Sequence, residues 1–175
     1  MALKYELRID DSGRVKITDP KLSEELYNKS CMGELEGGEL KLRPYEALFL
    51  IYNEKAYAVD GKGNPLGFKE LLRELLKRDR RAWLKFLIYN DLRRRGFLAR
   101  EAEGRLIKFA VIDRSKDPKI ASYFIYVIPE GEGIEFKDLK EMVEECIRLR
   151  KEPIIAIIDK EGNISYYSLS FFKGL

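Results

Sequence analysis

Residues 150–167 read RKEPIIAIIDKEGNISYY, and they contain two strand signals joined by a turn. Segment 154–158 is apolar throughout, which is typical of a strand inside a sheet. The run 159–163 is polar and contains a Gly-Asn pair, a composition that favours a tight turn. Segment 164–169 then returns to strand character. The stretch therefore predicts that the chain closes with two neighbouring strands.

An amphipathic helix is predicted immediately before this stretch. Its apolar positions follow the spacing of a helix that packs on one face: Leu139, Met142, Val143, Cys146 and Ile147. Segments 97–100, 106–112 and 122–128 precede it and have strand character, with breaks around residues 104 and 117. The second half of the chain therefore predicts a sheet and a helix that packs on one face.

The beginning of the chain predicts a β-hairpin, with segments 3–9 and 15–17 on either side of a polar turn. Gly33, Gly37 and Gly38 then lie among glutamates, a composition that predicts a loop. These signals start a small domain in which strands come first.

Two predicted helices complete this domain, and a third connects it to the second half of the chain. Pro44 suits the first turn of a helix, and Phe68 opens a series of apolar residues at helical spacing after a short strand at 57–59. A further helix is predicted over residues 81–95, and Gly96 directly after it is the stop signal. This last helix joins the two halves of the chain.

An α/β (α+β) fold follows from these signals, with a small mixed N-terminal domain over residues 1–80 and a mixed-sheet C-terminal domain over residues 81–175. The chain has 175 residues, of which 45% are hydrophobic and 36% charged, as in folded domains. No apolar run approaches the roughly 18 to 20 residues that cross a bilayer, and the N-terminus has no apolar signal core. We therefore expect a cytoplasmic protein with no membrane partner.

Composition excludes several classes of enzyme. The chain has no histidine, so it supplies no imidazole as a general base, as an activator of a nucleophile or as a zinc ligand. Only Cys31 and Cys146 occur, so neither a disulfide framework nor a cysteine metal cluster is expected. The chain has no Gln, one Thr and five Asn against 33 basic and 30 acidic residues, a bias that indicates a thermophilic source.

Charge is uneven along the chain although the net charge is only +3. Ten basic and four acidic residues lie within 69–95, whereas seven acidic and two basic residues lie within 130–145. A basic run of this kind is typical of solvated helix ends, and contact with RNA is the alternative interpretation.

Three ordered segments are similar to the tRNA-splicing (tRNA-intron) endonucleases. Residues 86–97 read FLIYNDLRRRGF and resemble the family's Y-x-D-L-R-x-R-G-Y pattern. Residues 123–130 read YFIYVIPE, and residues 150–167 resemble the family's R-K-x-L-V-L-A-V-V-D-x-E-G-D-I-x-Y-Y pattern. The order and spacing agree with the family, and residues 43–50, RPYEALFL, add weaker support.

The resemblance implies RNA cleavage without a metal or other cofactor, leaving 2′,3′-cyclic phosphate and 5′-hydroxyl ends. In the family a Tyr acts as general base, a His as general acid and a Lys stabilises the transition state. The reaction explains these residue types, because the 2′-hydroxyl loses a proton, the leaving 5′ oxygen gains one, and the phosphorane carries negative charge.

This chain departs from the family at the catalytic positions. The family's tyrosine falls on Ile112, at the end of an F-x-V-Y strand, and its histidine falls on Ile120, three residues before Tyr123. Lys151 alone matches, and a lysine at a helix end also has a purely structural explanation. Seven residues before the lysine the family tends to carry an RNA-gripping arginine, which is Glu144 here.

The resemblance and the missing base and acid together predict a structural, non-catalytic subunit of an archaeal tRNA-splicing endonuclease. Its implied partners are a catalytic paralogue, in an (αβ)2 heterotetramer, and precursor tRNA bound by the complex. Family members pair their last strands and dock an acidic loop into a basic cleft of the opposing pair. The corresponding residues here are Asp159, Lys160, Glu161, Gly162 and Asn163 in the loop, with Ile164, Tyr166, Tyr167 and Leu169 in the strand.

Two alternatives remain open from the sequence. One is a standalone RNA-binding protein that uses the basic region 69–95. The other is an active endonuclease with rearranged catalytic residues, since tyrosines, lysines and carboxylates are plentiful. No paired-carboxylate metal motif or phosphate-binding Gly-rich loop is found.

Overall fold

Two mixed sheets organise residues 5–117 and 119–170, which are the residues that the computed structural model describes. Chain contacts divide the protein into two units between Asn90 and Asp91. Each unit contains one sheet with its own helices, so the predicted fold of two mixed α/β domains is confirmed. The division falls within a helix, whereas the sequence analysis placed the boundary at residue 80.

The first unit contains six strands and the helices around them. Its strands are β1 (Tyr5–Ile9), β2 (Val15–Ile17), β3 (Glu34–Glu36), β4 (Glu39–Leu42), β5 (Ala56–Val59) and β6 (Pro65–Leu66), in the spatial order β3-β4-β2-β1-β5-β6. Its helices are α1 (Pro20–Ser30), α2 (Pro44–Tyr52) and α3 (Phe68–Arg78), and α4 (Ala82–Arg94) continues into the second unit.

The second unit contains five strands and one long helix. Its elements are β7 (Leu98–Ala102), β8 (Ile107–Ile112), β9 (Tyr123–Pro129), α5 (Phe136–Leu149), β10 (Glu152–Ile158) and β11 (Ile164–Ser168). The spatial order is β11-β10-β9-β8-β7, and only β9 and β10 run parallel. Their connection contains α5, as a crossover between parallel strands requires. The predicted strands and helix of this half are confirmed.

One helix and one hairpin of the first unit were not predicted. The sequence analysis assigned no helix to residues 20–30, which form α1. The helix begins where the Asp19 carboxylate accepts a hydrogen bond from the backbone N–H of Leu22 at 3.0 Å and Pro20 takes the first turn. Its buried residues are only Ser23 and Leu26, so its apolar periodicity is weak.

The predicted glycine loop contains a hairpin. Gly37 and Gly38, both with positive φ, form the two-residue turn between β3 and β4, and this backbone geometry favours glycine. Gly33 precedes β3 and its N–H donates to the buried Glu46 carboxylate at 3.0 Å. A Cβ at Gly33 would lie 2.6 Å from the Lys41 carbonyl oxygen, so the position excludes other residues. Residues 3, 4 and 118 of the predicted elements lie outside the described residues.

Candidate functional site

Three segments of the second unit meet where β8 ends and where β9 and β10 begin. The Ser122 N–H donates to the Val111 carbonyl at 2.8 Å, and the Glu152 N–H donates to the Ser122 carbonyl at 2.9 Å. The Lys151 ammonium donates to the Ala121 carbonyl at 2.6 Å. Each of the three predicted catalytic positions, 112, 120 and 151, therefore lies at or directly beside a residue in these hydrogen bonds. We call this place the junction.

The junction has no proton-transfer group at the first two of these positions. Ile112 is half-buried and pairs with Leu98 of β7, and the Ile120 side chain is 55% exposed. Neither side chain can accept or donate a proton. An RNA phosphate beside them would meet hydrocarbon where transesterification needs a base and an acid.

Two ionisable groups beside the junction, Asp113 and Lys116, are held in their charged forms. The pKa of Asp113 lies below its ordinary value, chiefly because the Ser115 hydroxyl donates to it at 2.6 Å. The pKa of Lys116 lies above its ordinary value, because it donates to Glu152 at 2.8 Å and also bonds Tyr123. A general acid or base works best with a pKa near the operating pH, so both groups are poorly suited to replace the missing pair.

Lys151 is fixed by the end of helix α5. Arg150 takes a left-handed conformation at φ 54°, and the Lys151 N–H donates to the Cys146 carbonyl at 2.8 Å, the pattern of a Schellman cap. The ammonium then reaches Ala121, one residue after Ile120. Lys151 thus anchors the segment before β9 and has a structural role whatever its chemistry.

A second polar cluster lies between α5 and the sheet, and the sequence analysis missed it. The Lys108 ammonium contacts one oxygen of Glu145 at 2.6 Å, and the Tyr126 hydroxyl donates to the other oxygen at 2.8 Å. The Lys108 side chain is buried and lies 4.9 Å from the centre of the Phe124 ring. An open depression of about 310 Å³ borders the cluster. The sequence contained one signal for this cluster, because Lys108 lies inside an otherwise apolar strand.

The polar cluster does not supply a general base. Burial raises the pKa of Tyr126 far above its ordinary value, and the hydrogen bond to Glu145 raises it further. A tyrosine in this state keeps its proton at neutral pH. Burial also raises the pKa of the Cys146 thiol. The cluster therefore serves packing between the helix and the sheet.

Removing the Glu145 carboxylate is expected to destabilise the protein at neutral pH. The Lys108 and Tyr126 hydrogen bonds hold the Glu145 pKa below its ordinary value although its partial burial opposes this. The stabilisation is therefore present above about pH 4.3 and is lost as the pH falls through the lower folded-state pKa. Glu145→Ala should cost about 2 kcal/mol at pH 6, because the buried Lys108 ammonium loses the acceptor of its hydrogen bond.

Urea unfolding at pH 6 and at pH 3 measures this effect, and the difference between wild type and Glu145→Ala should shrink at the lower pH. The matched control is Glu144→Ala, whose exposed partner Lys140 lies 3.7 Å away and should contribute under about 0.5 kcal/mol. Equal losses for the two variants would contradict a buried pair.

The D-L-R-R-R motif of α4 holds the last strand. The Tyr166 hydroxyl of β11 donates to the Asp91 carboxylate at 2.7 Å, and Arg95 donates to the same oxygen at 2.7 Å. The Arg95 guanidinium lies 5.3 Å from the centre of the Tyr166 ring. The motif thus has a packing role in this chain, which its sequence spacing alone did not reveal.

Strand β11 forms one edge of the second sheet and pairs only with β10 among the described strands. The Leu169 N–H bonds the Pro153 carbonyl and the Asp159 N–H bonds the Asn163 carbonyl, each at 3.0 Å. Antiparallel pairs alternate, so the backbone groups of Ile164, Tyr166 and Ser168 point away from β10. The edge therefore offers a row of backbone donors and acceptors beside the half-exposed Tyr167 side chain.

Of the two carboxylates in the turn before β11, Asp159 accepts hydrogen bonds within the turn itself. Asp159 accepts from the backbone N–H and the side-chain amide of Asn163, each at 2.8 Å, and these bonds lower its pKa. Gly162 has φ 88°, as the turn requires. Lys160 and Glu161 are exposed at its tip. Glu161 is therefore the acidic group left available to a partner.

No group of three or more metal-ligating side chains occurs within residues 5–117 and 119–170. Over the same residues no helix is long and apolar enough to cross a membrane.

Comparison with known families identifies both units. Residues 82–166 match the tRNA intron endonuclease catalytic C-terminal domain, and residues 11–72 match the N-terminal domain of that family. The chain is therefore a two-domain protein of the tRNA intron endonuclease type.

Three relatives agree with these matches, two of them of similar length to this chain. The tRNA-splicing endonuclease of Thermococcus onnurineus is 31% identical over 87% of this chain and 88% of its own length, and that of Pyrococcus horikoshii is 31% identical over 91% and 92%. The Methanococcoides burtonii tRNA-splicing endonuclease is 30% identical over 87% of this chain. The matched region covers 43% of that relative's own length. This chain belongs to the tRNA intron endonuclease family.

Proposed function

We propose that this chain is the structural, catalytically degenerate subunit of a heterotetrameric tRNA-splicing endonuclease. The complex would remove introns from precursor tRNA and leave 2′,3′-cyclic phosphate and 5′-hydroxyl ends. The observation that supports this role is the junction, where Ile112 and Ile120 flank a lysine that is hydrogen-bonded to the backbone. Without histidine anywhere in the chain, no imidazole can reach this place from another element.

A structural subunit contributes by positioning a catalytic one. The exposed edge of β11 suits this task, because unpaired backbone groups beside apolar side chains favour pairing with a strand of another chain. We assign the catalytic paralogue as the chain that pairs there. Such an interface is held by backbone hydrogen bonds and buried apolar surface, so it should resist salt.

The turn at residues 159–163 would join two such pairs. Its geometry recurs in the first unit, where Asp60 accepts from the backbone and side chain of Asn64 at 2.8 Å each and Gly63 has φ 86°. Lys62 occupies the position in that turn that Glu161 occupies here. A lysine is therefore compatible with the turn, and the charge of Glu161 can be reversed without disturbing its fold.

Glu161→Lys is expected to separate the tetramer into heterodimers. The Glu161 carboxylate at the tip, beside Lys160, would dock into a basic surface of the opposing pair, and a contact made by charge weakens as ionic strength rises. Light scattering on the co-purified pair should show four chains for the wild type and two for the variant. The wild-type tetramer should itself weaken towards 1 M salt, where the Debye length is about 3 Å.

The matched control for this variant is Lys62→Glu, a reversal in the equivalent turn of the first unit, which should leave the tetramer intact. A wild-type pair that never forms four chains would contradict the proposed assembly. A Glu161→Lys tetramer that stays active would leave the turn without a docking role.

Lys151→Ala in the assembled complex should change the cleavage rate by less than about threefold, or ~0.7 kcal/mol of barrier. A transition-state cation has little effect on a phosphate where base and acid are absent. The hydrogen bond to Ala121 should be lost at a cost of about 1 kcal/mol of stability. Single-turnover cleavage and urea unfolding measure the two effects, and a hundredfold rate loss with assembly intact would show a working lysine.

A further inference from the structure

The first unit carries an exposed group of aromatic rings, here called the aromatic cluster and formed by Tyr52, Phe68, Trp83 and Phe86. Tyr52 lies 5.4 Å from Phe86 and 5.9 Å from Phe68, measured between ring centres. Trp83 lies 5.2 Å from Phe86 and 6.4 Å from Phe68. Three helices thus bring the four rings into one continuous group.

Much of this aromatic surface faces solvent. Tyr52 is 56% exposed and Trp83 is 41% exposed, while Phe86 is buried beneath them. Single exposed aromatics are common in proteins, but rings that contact one another at the surface mark an interaction site. The buried Phe86 ring supports the exposed rings and holds them in place. A ligand that binds them therefore costs little side-chain conformational entropy.

Exposed cations lie close in the sequence to the residues of the aromatic cluster. Lys69 follows Phe68 directly and Arg73 lies one helical turn further along α3, while Arg80 and Arg81 come just before Trp83. All four are exposed, and within the described parts of the chain none has an ion-pair partner. The nearby acids are partly engaged, since Glu74 bonds Lys77 and Asp79 bonds Lys85. Glu70, and Glu54 two residues after Tyr52, are the exposed acids that remain.

We propose that the aromatic cluster and these four cations bind an unpaired stretch of RNA. Bases would stack on Tyr52 and Trp83, and the arginines and lysine would contact phosphates, which is how proteins hold single strands without reading their sequence. The unpaired cations favour a polyanion over an apolar protein segment. That the strand is RNA rests on the proposed function, whose substrate is precursor tRNA.

Trp83 makes the surface directly observable, because it is the only tryptophan in the chain. Adding a single-stranded oligouridylate to the full-length wild-type protein at low salt should quench the Trp83 fluorescence in a saturable manner. Double-stranded RNA of equal length should quench it much less, because its bases are already stacked. Binding of labelled oligouridylate without any fluorescence change would overturn the proposal.

Variants test the same surface through the anisotropy of labelled oligouridylate. Tyr52→Ala and Trp83→Ala should each weaken binding by about tenfold, and Trp83→Phe should keep most of it. Arg80→Gln with Arg81→Gln should lower the dependence of log K on log salt by about 1.4. Phe136→Ala is the matched control, since Phe136 is 82% exposed in the second unit and belongs to no described ring contact.

Three outcomes separate this proposal from the proposed function. Unchanged RNA affinity in the aromatic variants, with cleavage by the reconstituted pair intact, would overturn the RNA surface alone. Saturable quenching by RNA with no cleavage by the pair would overturn the proposed function and support the RNA surface. Quenching by the catalytic subunit, without quenching by RNA, would assign the aromatic cluster to a protein contact and overturn the proposal.

Discussion

Purified alone, this protein should leave intron-containing precursor tRNA uncut, and together with its catalytic paralogue it should support cleavage at both splice sites. General acid–base catalysis contributes about 10² to 10⁴ for each group, so loss of both groups removes at least about 10⁴ in rate. The proposed role places Ile112 and Ile120 at the positions of both groups, and their side chains offer only hydrocarbon. The difference between the lone chain and the pair should therefore be the largest effect in the system.

Gel analysis of end-labelled precursor tRNA, with chelator present, measures this effect. The control is a paralogue variant without its own base and acid, which should make the complete complex inactive. Metal-independent cutting by the lone chain that disappears in Lys151→Ala would contradict the proposed role and favour an active endonuclease with rearranged residues. That outcome would require a proton-transfer pair, which Asp113 and Lys116 are poorly suited to provide.

Ser168→Pro should dismantle the complex into single chains and abolish cleavage. The Ser168 N–H points away from β10, so proline removes a donor from the free edge and leaves the β10–β11 ladder in place. Tyr167, the residue before the new proline, is already extended, as proline demands of its neighbour. Ser168 is the last residue of β11, and a rigid pairing of strand edges tolerates no missing donor there, so the loss of activity should reach at least about 100-fold, or ~2.7 kcal/mol.

Ser168→Ala keeps the backbone N–H and is the matched control, which should assemble and cleave as the wild type does. Light scattering measures assembly, and circular dichroism shows whether the variant remains folded. A Ser168→Pro protein that still forms an active tetramer would exclude β11 as the pairing edge. Because the contact depends on backbone bonds and apolar surface, the wild-type heterodimer should persist at salt concentrations that separate the tetramer.

Much of the secondary structure could be predicted from local sequence signals. Segment 154–158 predicted an interior strand, because a strand buried on both faces is apolar throughout. The periodicity of α5 predicted a packed helix, because burial on one face leaves apolar residues at helical spacing. The helix α1 was not predicted. Asp19 and Pro20 give it a start signal, but it has too few buried residues to show an apolar stripe at helical spacing. The glycines at 37 and 38 marked a break, but the strand pairing that makes them a hairpin turn is a long-range property.

The sequence by itself determined the family and the absence of any imidazole. Ordered motifs and the absence of histidine are facts of composition and spacing, and no folding can create an imidazole from isoleucine. Only the tertiary structure decided what the remaining groups do. It places the Lys151 ammonium on the Ala121 carbonyl, joins Lys108 to Glu145 across 37 positions of the chain, and joins Tyr166 to Asp91 across 75. Such contacts follow from packing in space, which neighbouring residues in the sequence do not encode.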